Sequence, residues 1–310
     1  MKQLILIFVL LCFFGCGSQS KKIDKNKIEV YATLFPVYDI SRAIFKEKAN
    51  IHLVIPPGVE AHTYEPSPKD IINFSNGDIF IYTSKIMEPW AEKIVTQLPK
   101  ENIISNSSQG VNFLDGKDED EGDEHKEEHH HLGKDPHIWL DPENMKIMAE
   151  NVYKTAVLKD KKNEKYYKLN YENYCKELDK IDQETKETIN KCKIKTIIYG
   201  GHYAFGYFSK RYGLNHESPY ENFSPNSEPT PKNIKEMVEL TKKLKVKYIF
   251  FEEMLSPKVA EIIAKESNTK MLLLNGAHNI SKKDLDNGIT YFKIMQENLE
   301  NLKKGLDFSE

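Results

Sequence analysis

The chain has 310 residues, 39% of them apolar and 29% charged, a globular composition with room for two domains of ordinary size. Its 44 Lys and Arg against 47 Asp and Glu leave a formal charge of −3, and no basic stripe emerges. Nucleic acid is therefore not an expected partner.

The chain begins with Lys2 and an apolar run from Leu4 to Phe14, followed by Gly15 and Cys16. Eleven apolar residues suit a signal-peptide core and fall short of a bilayer-spanning helix. The small residue before Cys16 fits a bacterial lipoprotein signal in which Cys16 becomes the lipidated first residue. The expected division is a signal peptide over 1–15 and a polar, lipid-anchored tether over 16–27. No other segment reaches membrane-spanning length, so the mature chain is expected outside the membrane on its anchor.

A strand over 28–33, a helix over 37–45 and a strand over 51–55 follow, ended by Pro56, Pro57 and Gly58. A short helix over 68–74 is expected behind Ser67 as N-cap, then a strand over 78–83 and a helix over 89–97. This alternation predicts a mainly parallel sheet with helices on its faces. Residues 115–128 carry nine acids against Lys117 and Lys126, enclose His125, and run into His129, His130 and His131. Such a segment repels itself and is expected to be a mobile loop, here spanning 115–134.

From Pro142 to Lys193 the chain lacks Pro and Gly after its first residue, which predicts helix over most of that length. Strands over 196–199, 248–251 and 271–274 alternate with helices over 203–211, 231–244, 256–267 and 289–304. The fold class expected is α/β: two Rossmann-like lobes of mainly parallel sheet, over 28–150 and 194–310, joined by one long linker helix over 151–193. Cys175 and Cys192, seventeen residues apart on a helix, are too distant to bridge and are read as free thiols.

Four histidines occupy loops or strand ends rather than apolar helical stripes: His62 in PPGVEAHTYEPSP, His137 in DPHIWLDP, His202 in IIYGGHYAFGYF and His278 in LLLNGAHN. Imidazole is the commonest protein ligand for zinc, and ligands of open α/β sheets gather at the carboxyl ends of the strands. Gly200 and Gly201 would let the backbone approach such a ligand closely. The spacing itself matches no compact metal motif; the local sequences carry the case.

In order along the chain, PPGVEAHTYEPSP, DPHIWLDP, GGHYAFGYF and SEPTPKNI resemble the substrate-binding lipoproteins of bacterial zinc/manganese ABC transporters, from about residue 28 to residue 302. The resemblance implies two α/β lobes, a rigid connecting helix, a metal in the cleft between them, and partners in a membrane permease and its ATPase. It places His62, His137 and His202 on the family's three imidazole positions. At the fourth position, where many members carry Asp, this chain has Asn275 with His278 three residues on. His278 is ranked first there, with Glu60, Asn275 or water as alternatives. Three imidazoles without that carboxylate favour Zn²⁺ over the harder Mn²⁺. Glu65 and Asp141 are expected to accept the outer N–H groups of ligand histidines, and Glu228 to be structural. His125 and the 129–131 histidines read as an accessory metal collector.

The function expected is that of an extracytoplasmic, monomeric zinc receptor and not an enzyme. The rival readings are a manganese-binding member of the family, and a zinc hydrolase or surface adhesin on the same scaffold. Against the hydrolase, neither a nucleophile elbow nor HExxH is present.

Overall fold

The computed structural model describes residues 27–116, 133–220, 223, 228–254 and 256–309. The signal peptide, Cys16, His125 and the 129–131 histidines lie outside the described residues.

The first half alternates β1 (Ile28–Ala32), α1 (Phe35–Phe45), β2 (Ala49–Leu53), α2 (Pro68–Ser75), β3 (Ile79–Tyr82), α3 (Pro89–Val95) and β4 (Ile103–Asn106). Its four strands are parallel in the order β2-β1-β3-β4. All four β3 residues, Ile79 to Tyr82, are buried, as a central strand covered on both faces requires. Ser67 caps α2 in a reciprocal capping box with Asp70, and Pro68 opens the helix.

The second half contains β5 (Thr196–Ile198), α6 (Gly206–Tyr212), β6 (Asn215–Glu217), α7 (Pro231–Leu244), β7 (Tyr248–Phe251), α8 (Lys258–Ser267), β8 (Lys270–Leu273), α9 (Lys282–Asp286) and α10 (Tyr291–Gly305). Parallel pairs β5-β6 and β7-β8 are joined by a parallel bridge between Tyr199 and Phe250. The chain is thus α/β, with parallel sheets flanked by helices.

Between the halves the structure departs from the expected single helix over 151–193. It has two: α4 (Pro142–Lys159), packed on α1 and β4, and α5 (Glu164–Lys191), 28 residues long. Neither Pro nor Gly makes the break. The Asp160 carboxylate accepts from the Asn163 amide at 2.6 Å and the Tyr167 hydroxyl at 2.9 Å, and this local turn competes with helix. One apolar core runs past both halves. It includes Val30 and Trp139 of the first, Leu178 and Ile181 of α5, and Tyr199, Phe205 and Leu299 of the second. Cys175 and Cys192 are both free.

The long helix is riveted to the second half by Asp182, whose carboxylate takes both Nε and Nη2 of Arg211, at 2.6 and 2.7 Å, and the Tyr212 hydroxyl at 3.0 Å. Burial alone would raise this carboxyl, but the Arg211 fork, Lys186 and Tyr212 outweigh it and hold it at about 2. A depressed carboxyl contributes stability that is complete above its unfolded value near 4 and lost as pH falls toward 2. Asp182→Asn should therefore cost about 1–2 kcal/mol at pH 7. In urea denaturation the gap between variant and parent should close as pH drops from about 4 to about 2. A gap that does not change with pH would contradict this role.

Candidate metal centre

Three of the four singled-out histidines converge. The Nε2 atoms of His62 and His137 are 3.3 Å apart, and those of His137 and His202 3.1 Å apart. Each of the three offers a nitrogen within 4.8 Å of the others. Ligands at about 2.0–2.1 Å in a tetrahedron are separated by about 3.3 Å, which the His62–His137 and His137–His202 separations already match. His137 and His202 are completely buried and His62 is half-buried, so the cluster opens on the His62 side.

Each histidine comes from a different connection. His62 lies in the loop after β2, and its backbone N–H donates to the Glu60 carboxylate at 2.9 Å. His137 is held from behind by Asp135, whose Oδ1 accepts both the backbone N–H at 2.9 Å and the Nδ1–H at 2.8 Å. That bond turns the Nε2 lone pair toward the other imidazoles. His202 has the matching arrangement with Glu252. The Oε2 atom accepts the His202 backbone N–H at 3.1 Å, and Oε1 sits 2.8 Å from Nδ1.

These supports correct the expected ones. Glu65 is exposed. Asp141 caps α4 by accepting the Glu143 N–H and pairs with Arg211 at 3.1 Å. The orienting carboxylates are Asp135, two residues before His137, and Glu252, which directly follows β7 beside Glu253. An Asp inside the DPH string and paired acids directly after an apolar strand are signals that were available in the sequence. Gly201 also serves differently from expectation. A Cβ there would stand 2.5 Å from Glu252 Oε2, and one at Gly200 2.5 Å from Ala260 Cβ. The glycine pair makes room for the orienting carboxylate and for α8. Gly206 does the same for Asp135, and α6 begins there, three residues later than its expected start.

At the fourth position Asn275 is spent on local structure. Its side-chain oxygen accepts the Ala277 N–H at 2.7 Å, and its backbone pairs with the Asn298 amide in both directions. His278 is buried beside the trio, its ring centre 5.6 Å from that of His202. Its nitrogens face carboxylates, Nδ1 at 3.4 Å from Glu253 and Nε2 at 3.9 Å from Glu252.

Burial, reinforced by neighbouring imidazoles, holds His62, His137 and His278 well below the ordinary histidine range. At neutral pH these rings are uncharged and able to bind metal. At His202 burial pulls the same way, but the Glu252 charge outweighs it and raises the group. Burial pushes the Asp135 carboxyl up to about 7. Burial also raises Glu60, partly offset by the His62 N–H and by the charge it shares with His202. A buried cage of imidazoles backed by carboxylates can hold a divalent cation of borderline softness.

A family model described as "ZnuA: Zinc-uptake complex component A periplasmic" matches residues 30–305. The chain is 35% identical over 312 residues to the high-affinity zinc uptake system protein ZnuA of Bacillus subtilis (strain 168), with 97% of each chain covered. It is 33% identical over 313 residues to the zinc-binding lipoprotein AdcA of Streptococcus pneumoniae (strain ATCC BAA-255 / R6), covering 99% of this chain and 62% of that longer protein. Among solved structures, the Zn(II)-bound ZnuA-like domain of Streptococcus pneumoniae AdcA superposes with a TM-score of 0.75 at 28% identity, over 91% of this chain and 99% of that one.

Proposed function

The chain belongs to the zinc-uptake complex component A family, and from that premise we propose that it is the extracytoplasmic receptor that binds Zn²⁺ and hands it to a membrane permease driven by an ATPase. The observation that carries the reading is the convergence of three Nε2 atoms, from His62, His137 and His202, at tetrahedral ligand spacing between the two halves of the fold. Zinc is the cargo here, so a site that binds and releases it intact suffices.

We assign the fourth position to Glu60. It shares a loop with His62, whose backbone N–H its carboxylate accepts at 2.9 Å. His278, the residue first expected there, instead turns its ring nitrogens toward the Glu252 and Glu253 carboxylates behind the trio. Three imidazoles against one carboxylate still favour Zn²⁺ over Mn²⁺. Competition between the two ions on the purified protein tests that preference; displacement of zinc by equimolar Mn²⁺ would overturn it.

Lipidation of Cys16 is part of the same reading. It is supported by the apolar run that ends at Phe14, directly before Gly15 and Cys16, and a relative that carries the description lipoprotein is compatible with it. Among the described residues no helix is long and apolar enough to cross a membrane.

The charge states at the site predict a proton count. His62 and His137 are neutral well below pH 6.5, so protons do not compete there under ordinary conditions. His202 is raised above 6.5 and must lose its proton before its ring can bind metal. Zinc binding near pH 6.5 should release the His202 proton together with part of the proton that Asp135, held up to about 7, carries there, and affinity should weaken as pH falls through that region. Calorimetry in buffers of different ionisation enthalpy reads this directly. Binding without any proton release would contradict the assignment.

A further inference from the structure

Opposite the metal centre, the first half ends in a lysine-rich surface. Lys27, Lys48, Lys159 and Lys162 line one groove there. Lys46 and Lys161 stand exposed beside it. These six lysines face four carboxylates, three of which are already engaged. Asp78 pairs with Lys159 at 2.6 Å, Glu47 accepts the Tyr166 hydroxyl, and Asp160 holds Asn163 and Tyr167. Among the described residues, Glu164, at the start of α5, is the carboxylate of the four with no such engagement. The local excess of positive charge stands out in a chain whose net charge is −3.

Two large apolar side chains are exposed on the helices that meet at this end. Leu158, in the last turn of α4, is 72% exposed, and Leu169, in the second turn of α5, is 55% exposed. Exposed leucines set among lysines form the composition that lies in a membrane interface: apolar groups reach the acyl boundary while the ammonium groups meet anionic headgroups.

Chain direction fixes where this surface sits. β1 starts at Ile28 beside the groove and ends at Ala32, on the side of the sheet where the His62 loop emerges. α4 starts next to the His137 motif and, 18 residues long, ends at Lys159, about 26 Å away. The surface and the metal centre are therefore at opposite ends of the first half. Ten residues, 17–26, separate Cys16 from Lys27, a reach of at most about 35 Å. A tether that short keeps this end of the protein near the bilayer, and four of the seven positions before Ile28 are lysine (Lys21, Lys22, Lys25 and Lys27).

We propose that the lysine-rich end of the first half, carrying Lys27, Lys46, Lys48, Lys161 and Lys162 with Leu158, rests on the anionic phospholipid surface beside its own anchor, so that the metal centre faces outward. The proposal rests on the reading of Cys16 as the lipid attachment. In this resting orientation the open His62 side of the cage is free to collect zinc from outside, and the receptor must lift off the bilayer to present that side to a permease. Each lysine near such a surface strengthens the contact roughly fivefold, and salt weakens it.

The test uses the full lipidated chain on vesicles of phosphatidylcholine alone or mixed with phosphatidylglycerol, read by amide hydrogen exchange. Residues 156–166 should exchange more slowly on the mixed vesicles than on the neutral ones, and the difference should vanish at high salt. K46Q/K161Q/K162Q removes three exposed lysines and should shift the docked-to-free ratio by roughly a hundredfold, abolishing the protection. Its zinc affinity in detergent should match the parent, which also reports that the variant is folded. Equal exchange on both kinds of vesicle, with the protein attached to both, would overturn the proposal. Failure to attach to neutral vesicles would instead overturn the lipid anchor on which it stands.

Discussion

Changing His137 to alanine should weaken zinc binding by roughly a thousandfold. A zinc site built from protein ligands contributes on the order of 10–16 kcal/mol, so one of four donors is worth about 3–4 kcal/mol, and each 1.4 kcal/mol is a factor of ten. His137 is fully buried and is bonded to Asp135 through both its backbone and its ring. No water can take its place without stranding that carboxylate. His202→Ala should behave alike, because it removes a second imidazole and frees Glu252. His62 is half-buried, and water can partly replace its ring, so His62→Ala should lose less, on the order of a hundredfold. His278→Ala should change affinity by about tenfold, the lower end of the range expected of a supporting group. Competition with a chelator of known affinity measures all four. Tight binding retained by the His202 variant would remove the proposed site.

The second large effect concerns stability. Trp139 lies in the same DPHIWLDP string as His137 and is wholly buried. Its indole N–H donates to the Gly276 carbonyl at 2.7 Å, and its own carbonyl accepts the Tyr291 hydroxyl at 2.7 Å. One residue of the first half thus fastens the loop that bears His278 and the start of α10. Trp139→Ala should cost about 3–5 kcal/mol through the cavity alone, with about 1–3 kcal/mol more from the unpaired carbonyl. For a domain of this size that corresponds to a fall in Tm of about 10 °C or more. Trp139→Phe keeps most of the volume and should recover roughly half of the loss. A Trp139→Ala variant melting within about 2 °C of the parent would show that this junction does not hold the halves together.

Sequence patterns foretold the elements whose ends carry their own chemistry. Ser67-Pro68 and Thr230-Pro231 place a capping hydroxyl before Pro at the first helical position, and α2 and α7 begin at those prolines. The break between α4 and α5 escaped notice because Asp160 and Asn163 end a helix by side-chain hydrogen bonds, which a pattern of apolar spacing does not register. β4 and β6 were missed for a related reason: each is three or four residues long and carries polar residues, so pairing with a neighbour, not local preference, makes it a strand.

At the site the imidazoles were legible because each stands in a distinctive loop. Their partners were not, because a carboxylate that orients a histidine is recognised by its distance in space. Asp135 and Asp141 flank His137 in one string. Only the fold reveals that the first turns inward to the ring while the second caps a helix. Glu252 reaches His202 across fifty residues of sequence. His278, an imidazole by type in the loop after β8, does lie beside the trio, and only the fold shows the two carboxylates that its nitrogens also face.

The most direct test of the central claim is the anomalous diffraction signal at the zinc edge from crystals of the zinc-loaded protein. The account predicts one dominant zinc peak between the halves, bonded at about 2.0–2.1 Å to Nε2 of His62, His137 and His202. A dominant peak on the 125–131 histidines, with the three converging imidazoles left without metal, would contradict it.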